Sequence, residues 1–220
     1  MEKKNILLSF PRSGNHLCRF FIELLSETPT FGCKGSHKDK EIYTNIFDEH
    51  IPFNINKNID KNKAYYKYHN TPENIIPQSI ILIVRNPQEV LIRHCGENFD
   101  INTYNNYFKL IDFYKKFNGK KLLLFYEDMI INRKEFINKL YIFLGLKNLQ
   151  KKNYVLSNLN KLYTISSNAK YKAWGGFNSK YELNFYYKNI SNEIKKGFDE
   201  YLENKLKQEE YRFLKIKYNI

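Results

Sequence analysis

Short apolar runs alternate along this chain with segments of helical hydrophobic spacing, and this alternation most constrains the fold. Residues 5–10, 79–84 and 121–126 have the length and composition of buried parallel strands, and residues 64–69 form an aromatic-rich run that also favours a strand. Segments with apolar residues three and four positions apart follow three of these runs. The pattern predicts an α/β protein with three layers, α/β/α, around a mostly parallel central sheet.

Helical spacing also sets the expected limits of the helices. The predicted helices are residues 17–25, 87–94, 102–118, 133–144 and 190–207. Gly119 and Gly145 follow two of them, at the position where glycine commonly ends a helix. Residues 28–62 and 161–180 show little periodicity and are predicted as loops. Because the chain has no repeat and no low-complexity linker, residues 1–220 are predicted to form one domain.

The composition is that of a globular protein with a sizeable core. The chain has 220 residues, of which 42% are hydrophobic. No apolar run approaches the roughly 20 residues that a membrane helix needs. The first apolar run follows Lys3 and Lys4 but ends at Phe10, too early for the core of a signal peptide. We therefore expect a cytoplasmic protein without a membrane span.

The cysteines argue against a disulfide framework and against a structural zinc site. Cys18, Cys33 and Cys95 lie far apart, and no C-x-x-C pair occurs. The histidines and carboxylates likewise show no spacing typical of metal ligands. We expect reduced thiols and no bound metal.

The net charge of +13, with an isoelectric point of about 9.4, favours anionic partners. Lysine, asparagine, isoleucine and tyrosine are abundant along the whole chain, however, and no block of five like charges marks a basic arm. The 18 tyrosines and 17 phenylalanines are also compatible with base stacking. A basic nucleic-acid-binding protein is therefore one alternative, although no nucleic-acid-binding motif supports it.

The first predicted strand leads into a loop with the chemistry of an anion site. Strand, tight loop and helix together present unpaired backbone N–H groups and the positive end of a helix dipole to a phosphate. Arg12 adds a permanent charge with forked donors, Ser13 adds a hydroxyl, and Gly14 allows close approach of the backbone. An ordinary turn between strand and helix is the alternative interpretation of this loop by itself.

The other predicted strands also end in polar, chemically capable residues. Ligands of open α/β sheets bind at the carboxyl ends of the strands. Lys67 and His69 stand at one such end, Arg85 at the next, and Tyr126 with Glu127 at the last. Four polar strand ends indicate a ligand site more strongly than any one of them does.

Four segments, in this order, resemble the motifs of cytosolic-type sulfotransferases. They are Pro11-Arg12-Ser13-Gly14, Lys67-Tyr68-His69-Asn70-Thr71-Pro72, Arg85-Asn86-Pro87-Gln88-Glu89-Val90 and Tyr126-Glu127-Asp128-Met129. The family counterparts are Pro-Lys-Ser-Gly, Lys-Thr-His-Leu-Pro, Arg-Asn-Pro-Lys-Asp-Val and Tyr-Glu-Asp-Met/Leu. The resemblance covers about residues 5–146. It implies a P-loop-NTPase-like fold and an enzyme that moves a sulfuryl group from 3′-phosphoadenosine 5′-phosphosulfate (PAPS) to an acceptor hydroxyl or amine.

The resemblance implies three catalytic residues. His69 stands at the position of the catalytic base, which suits an imidazole because an attacking hydroxyl must lose its proton. Lys67 would help to hold the transferring group. Arg12 replaces the usual lysine and would stabilise the leaving group by charge alone, because a guanidinium keeps its protons.

The same loop is implied to bind the 5′ end of the donor. The backbone N–H groups of Ser13, Gly14 and Asn15 would surround the 5′-phosphate. Arg12 would contact the bridging oxygen. His16, at a position that normally holds threonine, would donate a hydrogen bond to a sulfonate oxygen.

The 3′-phosphate and the adenine of the nucleotide are implied to contact residues further along the chain. Arg85 matches the arginine that binds the 3′-phosphate, and Arg93 stands where the family has a serine that contacts the same phosphate. Tyr126 matches the tyrosine that lies against the adenine. Adenosine 3′,5′-bisphosphate (PAP) would be the product.

Two positions depart from the family pattern. Leu17 stands where the family has a tryptophan beside the adenine, and residues 170–176 only partly match the element that closes over the nucleotide. A P-loop-like phosphotransferase is a further alternative, but the loop lacks a P-loop lysine and a Mg²⁺-binding Ser/Thr in the required order. The acceptor, a small molecule or a glycan, would be contacted by residues 28–62 and by the region after Lys147, and neither its identity nor the oligomeric state follows from the sequence.

Overall fold

A parallel five-stranded sheet forms the centre of the fold. The structure is a computed structural model that describes residues 2–32, 63–95, 100–174, 183 and 186–220. In chain order the strands are β1 (Glu2–Ser9), β2 (Thr30–Phe31), β3 (Tyr65–Tyr68), β4 (Ile75–Val84) and β5 (Lys120–Phe125). Their order in the sheet is β2-β3-β1-β4-β5, and every neighbouring pair is parallel. The carboxyl ends of β3, β1, β4 and β5 therefore meet along one edge.

Helices connect the strands and follow the sheet along the chain. They are α1 (Asn15–Ser26), α2 (Pro87–Cys95), α3 (Ile101–Lys116), α4 (Tyr126–Ile131), α5 (Arg133–Phe143), α6 (Leu149–Ser157), α7 (Leu159–Trp174), α8 (Asn192–Leu206) and α9 (Arg212–Tyr218). Short 3₁₀ helices span Tyr186–Asn189 and Glu209–Tyr211. Within the described ranges, none of these helices combines the length and the apolar composition that a membrane crossing requires.

Alternate side chains of β1 point into two apolar cores, one on each face of the sheet. Leu7 belongs to the core formed with α1, α4, α5, α6 and α7. Ile6 and Leu8 belong to the core formed with α2, α3, α8 and α9. All three residues are completely buried. Because both faces are covered, β1 is apolar on both sides, as is typical of a central parallel strand. The predicted three-layer fold with a parallel sheet is confirmed.

The prediction of a loop over residues 161–180 is wrong, because α7 occupies most of it. Leu159, Leu162 and Ser166 are buried, and their spacing is that of one helix face. The polar residues between them obscured this short apolar face in the sequence. Residues 175–182 lie outside the described part of the chain.

The remaining helix predictions hold with small shifts at the ends. Helix α3 gives way to extended backbone at Phe117 (φ −77°, ψ 120°), so Gly119 does not end it. Gly145 does follow α5, with φ +69°. The predicted last helix corresponds to α8, and α9 was not predicted. Strand β2 lies within the predicted loop 28–62, of which residues 33–62 are outside the described residues.

A buried polar network explains how β2 is attached to α1. The Arg19 Nε donates to the Thr30 hydroxyl (2.7 Å), and its Nη2 donates to the Thr30 carbonyl (2.9 Å). The Thr30 N–H donates to Glu23 Oε1 (2.9 Å). Arg19 and Glu23 are 2% and 1% exposed, so α1 is buried on its polar side as well as on its apolar face. Buried charges of this kind persist only when they are hydrogen-bonded.

Candidate functional site

The loop between β1 and α1 contains two residues with positive backbone φ angles, separated by one residue. Arg12 has φ 69° and Gly14 has φ 89°. Ser13, between them, donates its N–H to the Phe10 carbonyl (3.2 Å). Gly14 is the N-cap of α1 and provides no side-chain cap, so the first turn of α1 presents its N-terminus at the edge of the sheet. An N-terminus of this kind favours a bound anion.

Gly14 is required at its position for two separate reasons. Its φ of 89° lies in the region that L side chains rarely adopt. A Cβ atom there would also lie only 2.4 Å from Cδ2 of Tyr126. The loop can therefore pack against the Tyr126 ring only with glycine at this position.

The Ser13 hydroxyl is a buried polar group without a partner among the described residues. Ser13 is completely buried, and its Oγ makes no hydrogen bond. Asn15, which is also implied in binding, directs its Nδ2 to Ser9 Oγ (2.9 Å) and so ties the start of α1 to the end of β1. Leaving a hydroxyl buried and unpaired costs about 1–3 kcal/mol, which an anion at the loop would offset by accepting its proton.

Arg85 follows β4 and binds the loop from the neighbouring strand. Its Nη1 donates to the Arg12 carbonyl (2.9 Å), and its Nη2 lies 3.4 Å from Glu89 Oε1. The guanidinium is over the ring of Tyr126, 4.1 Å from the ring centroid. Arg85 is 3% exposed, and its Nε has no partner among the described residues. Burial lowers the pKa of Arg85, which an anion beside it would reverse.

Tyr126 supports the loop rather than presenting an open ring. It is 4% exposed, with Gly14 against its Cδ2 edge and the Arg85 guanidinium over its face. The direct adenine contact that the resemblance implies therefore finds little exposed ring in this structure. Burial raises the pKa of Tyr126, so the side chain remains a neutral phenol.

Glu89 brings the two candidate 3′-phosphate ligands together. Its Oε1 lies 3.4 Å from Arg85 Nη2 and 3.6 Å from Arg93 Nη1. Glu89 is 3% exposed, whereas the Arg93 side chain is 25% exposed. One carboxylate shared by two guanidiniums leaves a net positive charge. We call Arg12, Ser13, Gly14, Arg85, Glu89, Arg93 and Tyr126 the Arg85 side of the site.

His69 follows β3 on the other flank of the loop. The register pairs Tyr68 with Leu8, so His69 comes next to Ser9. The His69 Nδ1 donates its proton to the Ser9 carbonyl (2.6 Å). This hydrogen bond selects the tautomer in which Nε2 carries the lone pair. Nε2 makes no hydrogen bond to any described residue, so this nitrogen keeps its lone pair unoccupied within the described part of the chain.

Burial and nearby cations keep His69 neutral. Burial lowers its pKa most, and the charge of Lys67 lowers it further, with smaller contributions from His94 and Arg19. Together they outweigh the hydrogen bond to the Ser9 carbonyl and bring the pKa of His69 to about 4. Lys67 lies in β3, two residues before His69, and is 9% exposed. The imidazole is therefore in its basic form at neutral pH. We call Ser9, Lys67 and His69 the His69 side of the site.

His16 is engaged with α7. Its Nε2 donates to the Ser166 carbonyl (3.1 Å), across 150 positions of sequence. In this arrangement the N–H that His16 would donate to a sulfonate oxygen is already used, and the side chain joins α1 to α7. The structure thus places His16 at the site but gives it a structural contact.

Three residues at the site make contacts that the sequence does not indicate. Asn106 in α3 donates from Nδ2 to the His69 carbonyl (3.0 Å) and fixes the backbone of the candidate base. His94 in α2 packs edge-on against Phe10, with ring centroids 5.2 Å apart. Glu127 accepts the Asn86 N–H (3.0 Å). The sequence places Glu127 at a strand end but does not indicate its hydrogen bond to Asn86. No local signal marks Asn106 or His94, because their contacts join segments that lie far apart in the chain.

The structure brings the predicted site residues to the same edge of the sheet. They are Arg12, Ser13, Gly14, Asn15, His16, Lys67, His69, Arg85, Arg93 and Tyr126. Gly175 and Gly176 of the candidate closing element lie outside the described residues, and the preceding residues form the end of α7. Among the residues that the structure describes, no group of three His, Cys, Asp or Glu side chains is arranged to hold a metal ion.

Comparison by sequence and comparison by structure give different results for this chain. No protein-family model matches it, and no curated protein matches it by sequence. Mouse sulfotransferase SULT7A1, complexed with PAP, has the same fold: it is 16% identical, with a TM-score of 0.59 over 99% of this chain and 88% of the mouse chain.

Two structures of retinol dehydratase are also similar. One, with androsterone and the inactive cofactor PAP, has a TM-score of 0.61, and the other, with retinol and PAP, has a TM-score of 0.62. Both are 16% identical and cover 93% of this chain and 81% of the other. These matches confirm the resemblance at the level of the fold, which is the P-loop-NTPase-like α/β/α fold of these proteins.

Proposed function

We propose that this protein is a PAPS-dependent sulfotransferase that transfers a sulfuryl group to an acceptor hydroxyl or amine. The observation that carries the proposal is the pair of buried, unpartnered donors at one loop, Ser13 Oγ and Arg85 Nε. They accompany a helix N-terminus and two left-handed residues. Buried polar groups are almost always hydrogen-bonded, so two donors without a partner among the described residues, one in the loop and one beside it, support an anion as their ligand.

The donor set fits a nucleotide with phosphates at both ends. The loop backbone at Ser13, Gly14 and Asn15, with the Ser13 hydroxyl, would bind the 5′-phosphosulfate. Arg85 and Arg93, held beside each other by Glu89, would bind the 3′-phosphate. Arg85 also donates to the Arg12 carbonyl, so it would connect the two phosphate positions as well as bind one of them. PAPS supplies the sulfuryl group, and PAP leaves as the product.

His69 would act as the general base. Its Nδ1 is committed to the Ser9 carbonyl, so Nε2 accepts the proton that the acceptor hydroxyl loses as it attacks sulfur. The lowered pKa keeps this nitrogen unprotonated before the acceptor binds. Asn106 would hold the His69 backbone in place during the transfer.

Lys67 and Arg12 would stabilise the charge that moves during the transfer. Lys67 would hold the sulfuryl oxygens, and Arg12 would stabilise the bridging oxygen as the bond from phosphate to sulfate breaks. Fixed cations act on developing charge without reorganisation, which is usually the largest contribution to such a reaction. Because both cations belong to short segments at strand ends, their positions are set by the sheet.

The acceptor is proposed to be a small molecule or a glycan. Androsterone and retinol occupy the retinol dehydratase structures, which favours a small molecule as the first class to screen. The positive charge of the chain is compatible with an acidic glycan. We also propose that the reaction takes place in the cytoplasm.

Calorimetric titration of PAP and of 5′-AMP tests the donor site directly. The wild-type protein should bind PAP at least about tenfold more tightly than 5′-AMP, because a 3′-phosphate adds charge-assisted hydrogen bonds worth ~1.5–3 kcal/mol. Arg85→Ala and Arg85→Lys should both lose this preference, the second because an ammonium has no fork. Arg212→Ala is the matched control, since that arginine is exposed and its ion pair among the described residues is with Glu209, which is exposed as well.

Equal binding of PAP and 5′-AMP by the wild-type protein contradicts the proposal. So does a PAP preference that survives in both Arg85 variants while circular dichroism shows them folded. Tight, strongly salt-dependent binding of random nucleic acid without PAP affinity would support the nucleic-acid-binding alternative instead.

A further inference from the structure

We infer that Tyr218, in the last helix, is a positioning residue of the nucleotide site. It acts through Glu127 on the backbone that carries Arg85. The inference rests on the proposed function for its ligand, the 3′-phosphate of PAP. Tyr218 itself lies outside the segments that resemble sulfotransferases, which end near residue 146, and it reaches the last of these motifs through Glu127.

The peptide unit between Arg85 and Asn86 is held at both of its polar atoms. The Tyr107 hydroxyl donates to the Arg85 carbonyl (2.8 Å). On the other side of the same planar unit, the Asn86 N–H donates to Glu127 Oε1 (3.0 Å). A peptide held at C=O and N–H cannot rotate without losing a hydrogen bond. The direction in which Arg85 leaves β4 is therefore determined by Tyr107 and Glu127.

Tyr218 occupies the second oxygen of the Glu127 carboxylate. Its hydroxyl donates to Oε2 (2.9 Å), while Oε1 serves Asn86. Each carboxylate oxygen thus has one donor, and the plane of the group is fixed. Burial and the charge of Glu127 raise the pKa of Tyr218, so its hydroxyl remains a donor.

Helix α9 holds this contact in place with two more. Lys217 Nζ lies 2.7 Å from Asp128 Oδ1. The Tyr218 ring packs edge-on against Phe125, with centroids 6.1 Å apart. The last helix therefore contacts the consecutive residues Glu127 and Asp128 at the start of α4. Through the Glu127 carboxylate, the position of this helix affects the Asn86 N–H, just after β4.

Asn86 also begins α2, through its side chain and its own carbonyl. Asn86 Oδ1 accepts the Gln88 N–H (2.9 Å), and the Asn86 carbonyl accepts the Val90 N–H (2.9 Å). Helix α2 carries Glu89 and Arg93, the other members of the 3′-phosphate group. A shift of Asn86 would therefore displace all the residues proposed for that phosphate.

Removal of the Tyr218 hydroxyl should free the Glu127 carboxylate to rotate and weaken its hold on the Asn86 N–H. Arg85 would then sample orientations that do not meet a 3′-phosphate. Binding of PAP should weaken, whereas binding of 5′-AMP, which has no 3′-phosphate, should not. A general loss of stability would instead weaken both ligands alike.

The test compares Tyr218→Phe with Tyr211→Phe. Tyr211 offers a matched control, because its hydroxyl donates to a carboxylate, Asp112 Oδ1 (2.8 Å), in the same C-terminal region but away from Arg85. Calorimetry should show about fivefold weaker PAP binding in Tyr218→Phe, the loss of roughly one hydrogen bond of positioning, with 5′-AMP affinity unchanged within about twofold. Tyr211→Phe should leave both affinities unchanged.

Hydrogen exchange without ligand supplies a readout that is independent of the proposed function. The Asn86 amide should exchange about fivefold faster in Tyr218→Phe and at the wild-type rate in Tyr211→Phe. If wild type does not prefer PAP over 5′-AMP, the proposed function fails, and the Asn86 amide alone decides whether Tyr218 holds Glu127. The inference is overturned if the Asn86 amide exchanges in Tyr218→Phe at the wild-type rate. It is also overturned if wild type prefers PAP over 5′-AMP and Tyr218→Phe keeps the same preference.

Discussion

The Arg85 side and the His69 side of the site differ in how many nitrogens of the central side chain are hydrogen-bonded within the protein. Arg85 is almost completely buried and directs one nitrogen to the Arg12 carbonyl and another to Glu89. His69 uses one ring nitrogen, at the Ser9 carbonyl, and its other ring nitrogen has no hydrogen bond to a described residue. A binding group can be positioned by many contacts, whereas a base must keep its reactive atom unoccupied.

The two sides also treat charge in opposite ways. Glu89 provides a counter-charge between Arg85, which is buried, and Arg93, which is partly exposed. His69 is surrounded by the positive charges of Lys67 and its neighbours, which together with burial keep the imidazole neutral. Neutrality is what a proton acceptor needs, and charge is what a phosphate ligand needs.

Substitution of the candidate base should give the largest effect and should separate the two sides most clearly. His69→Ala should lower the rate of sulfuryl transfer by about 10²–10⁴-fold, because general base catalysis is lost. PAP affinity should stay within about twofold of wild type, since the Arg85 side is untouched. Steady-state kinetics and calorimetry measure the two quantities. Equal losses of rate and of PAP affinity would show that the two sides are not separable.

The loop between the two sides should be disrupted by one methyl group. Gly14→Ala should lower the free energy of unfolding by about 1–3 kcal/mol, because it combines an unfavourable φ with a contact of 2.4 Å to the Tyr126 ring. PAP binding should fall by at least about tenfold, since the loop would move from Arg85. Chemical denaturation and calorimetry measure both effects.

Substitutions at two other glycines distinguish the effect of the positive φ from the effect of the steric clash with Tyr126. Gly145→Ala has a positive φ of 69° but nothing within 4 Å of the new Cβ, so it should cost about 1 kcal/mol and leave PAP binding intact. Gly197→Ala, in α8 and also with open space, should stabilise the protein by about 0.5–1 kcal/mol. If Gly14→Ala behaved like Gly145→Ala, the Tyr126 contact would not be what shapes the loop.

The low pKa of His69 should make the free energy of unfolding depend on pH in the acidic range. Its folded pKa of about 4 lies below the ordinary value of 6.5, so the unfolded state binds more protons between these two pH values. Stability from this group is therefore lost as the pH falls from 6.5 towards 4. Denaturation midpoints of wild type and His69→Gln should converge over this range. Parallel profiles would mean that His69 titrates normally.

Arg93 should give the smallest effect, because a quarter of its side chain is exposed. Arg93→Ala should weaken PAP binding by about two- to threefold, in line with the modest value of a partly exposed charge. Lys207→Ala is the control, since its pair with Glu203 is exposed on both sides. A loss as large as that of Arg85→Ala would make Arg93 an equal ligand of the 3′-phosphate.

Local pattern was sufficient for much of the fold and for the location of the site. The apolar runs of β1, β4 and β5 are continuous because both faces of a central parallel strand are buried, and this leaves a clear signal in the sequence. Because ligands bind at the carboxyl ends of strands, the sequence then predicts that Arg12, Lys67, His69 and Arg85 lie at one edge of the sheet. Helix α7 was missed because its buried face is short and interrupted by polar residues.

The tertiary structure decided the surroundings of each candidate site residue. The resemblance implies an adenine contact for Tyr126 and a sulfonate contact for His16, and both remain predictions; the folded chain packs Tyr126 against Gly14 and joins His16 to Ser166. It also determined the His69 tautomer through Ser9, and it placed Tyr218 beside Glu127 across 91 positions of sequence. Residue type and spacing are local properties, so they indicate where chemistry can occur. Burial, tautomer and hydrogen-bond partner depend on segments far apart in the chain, and only packing brings these together.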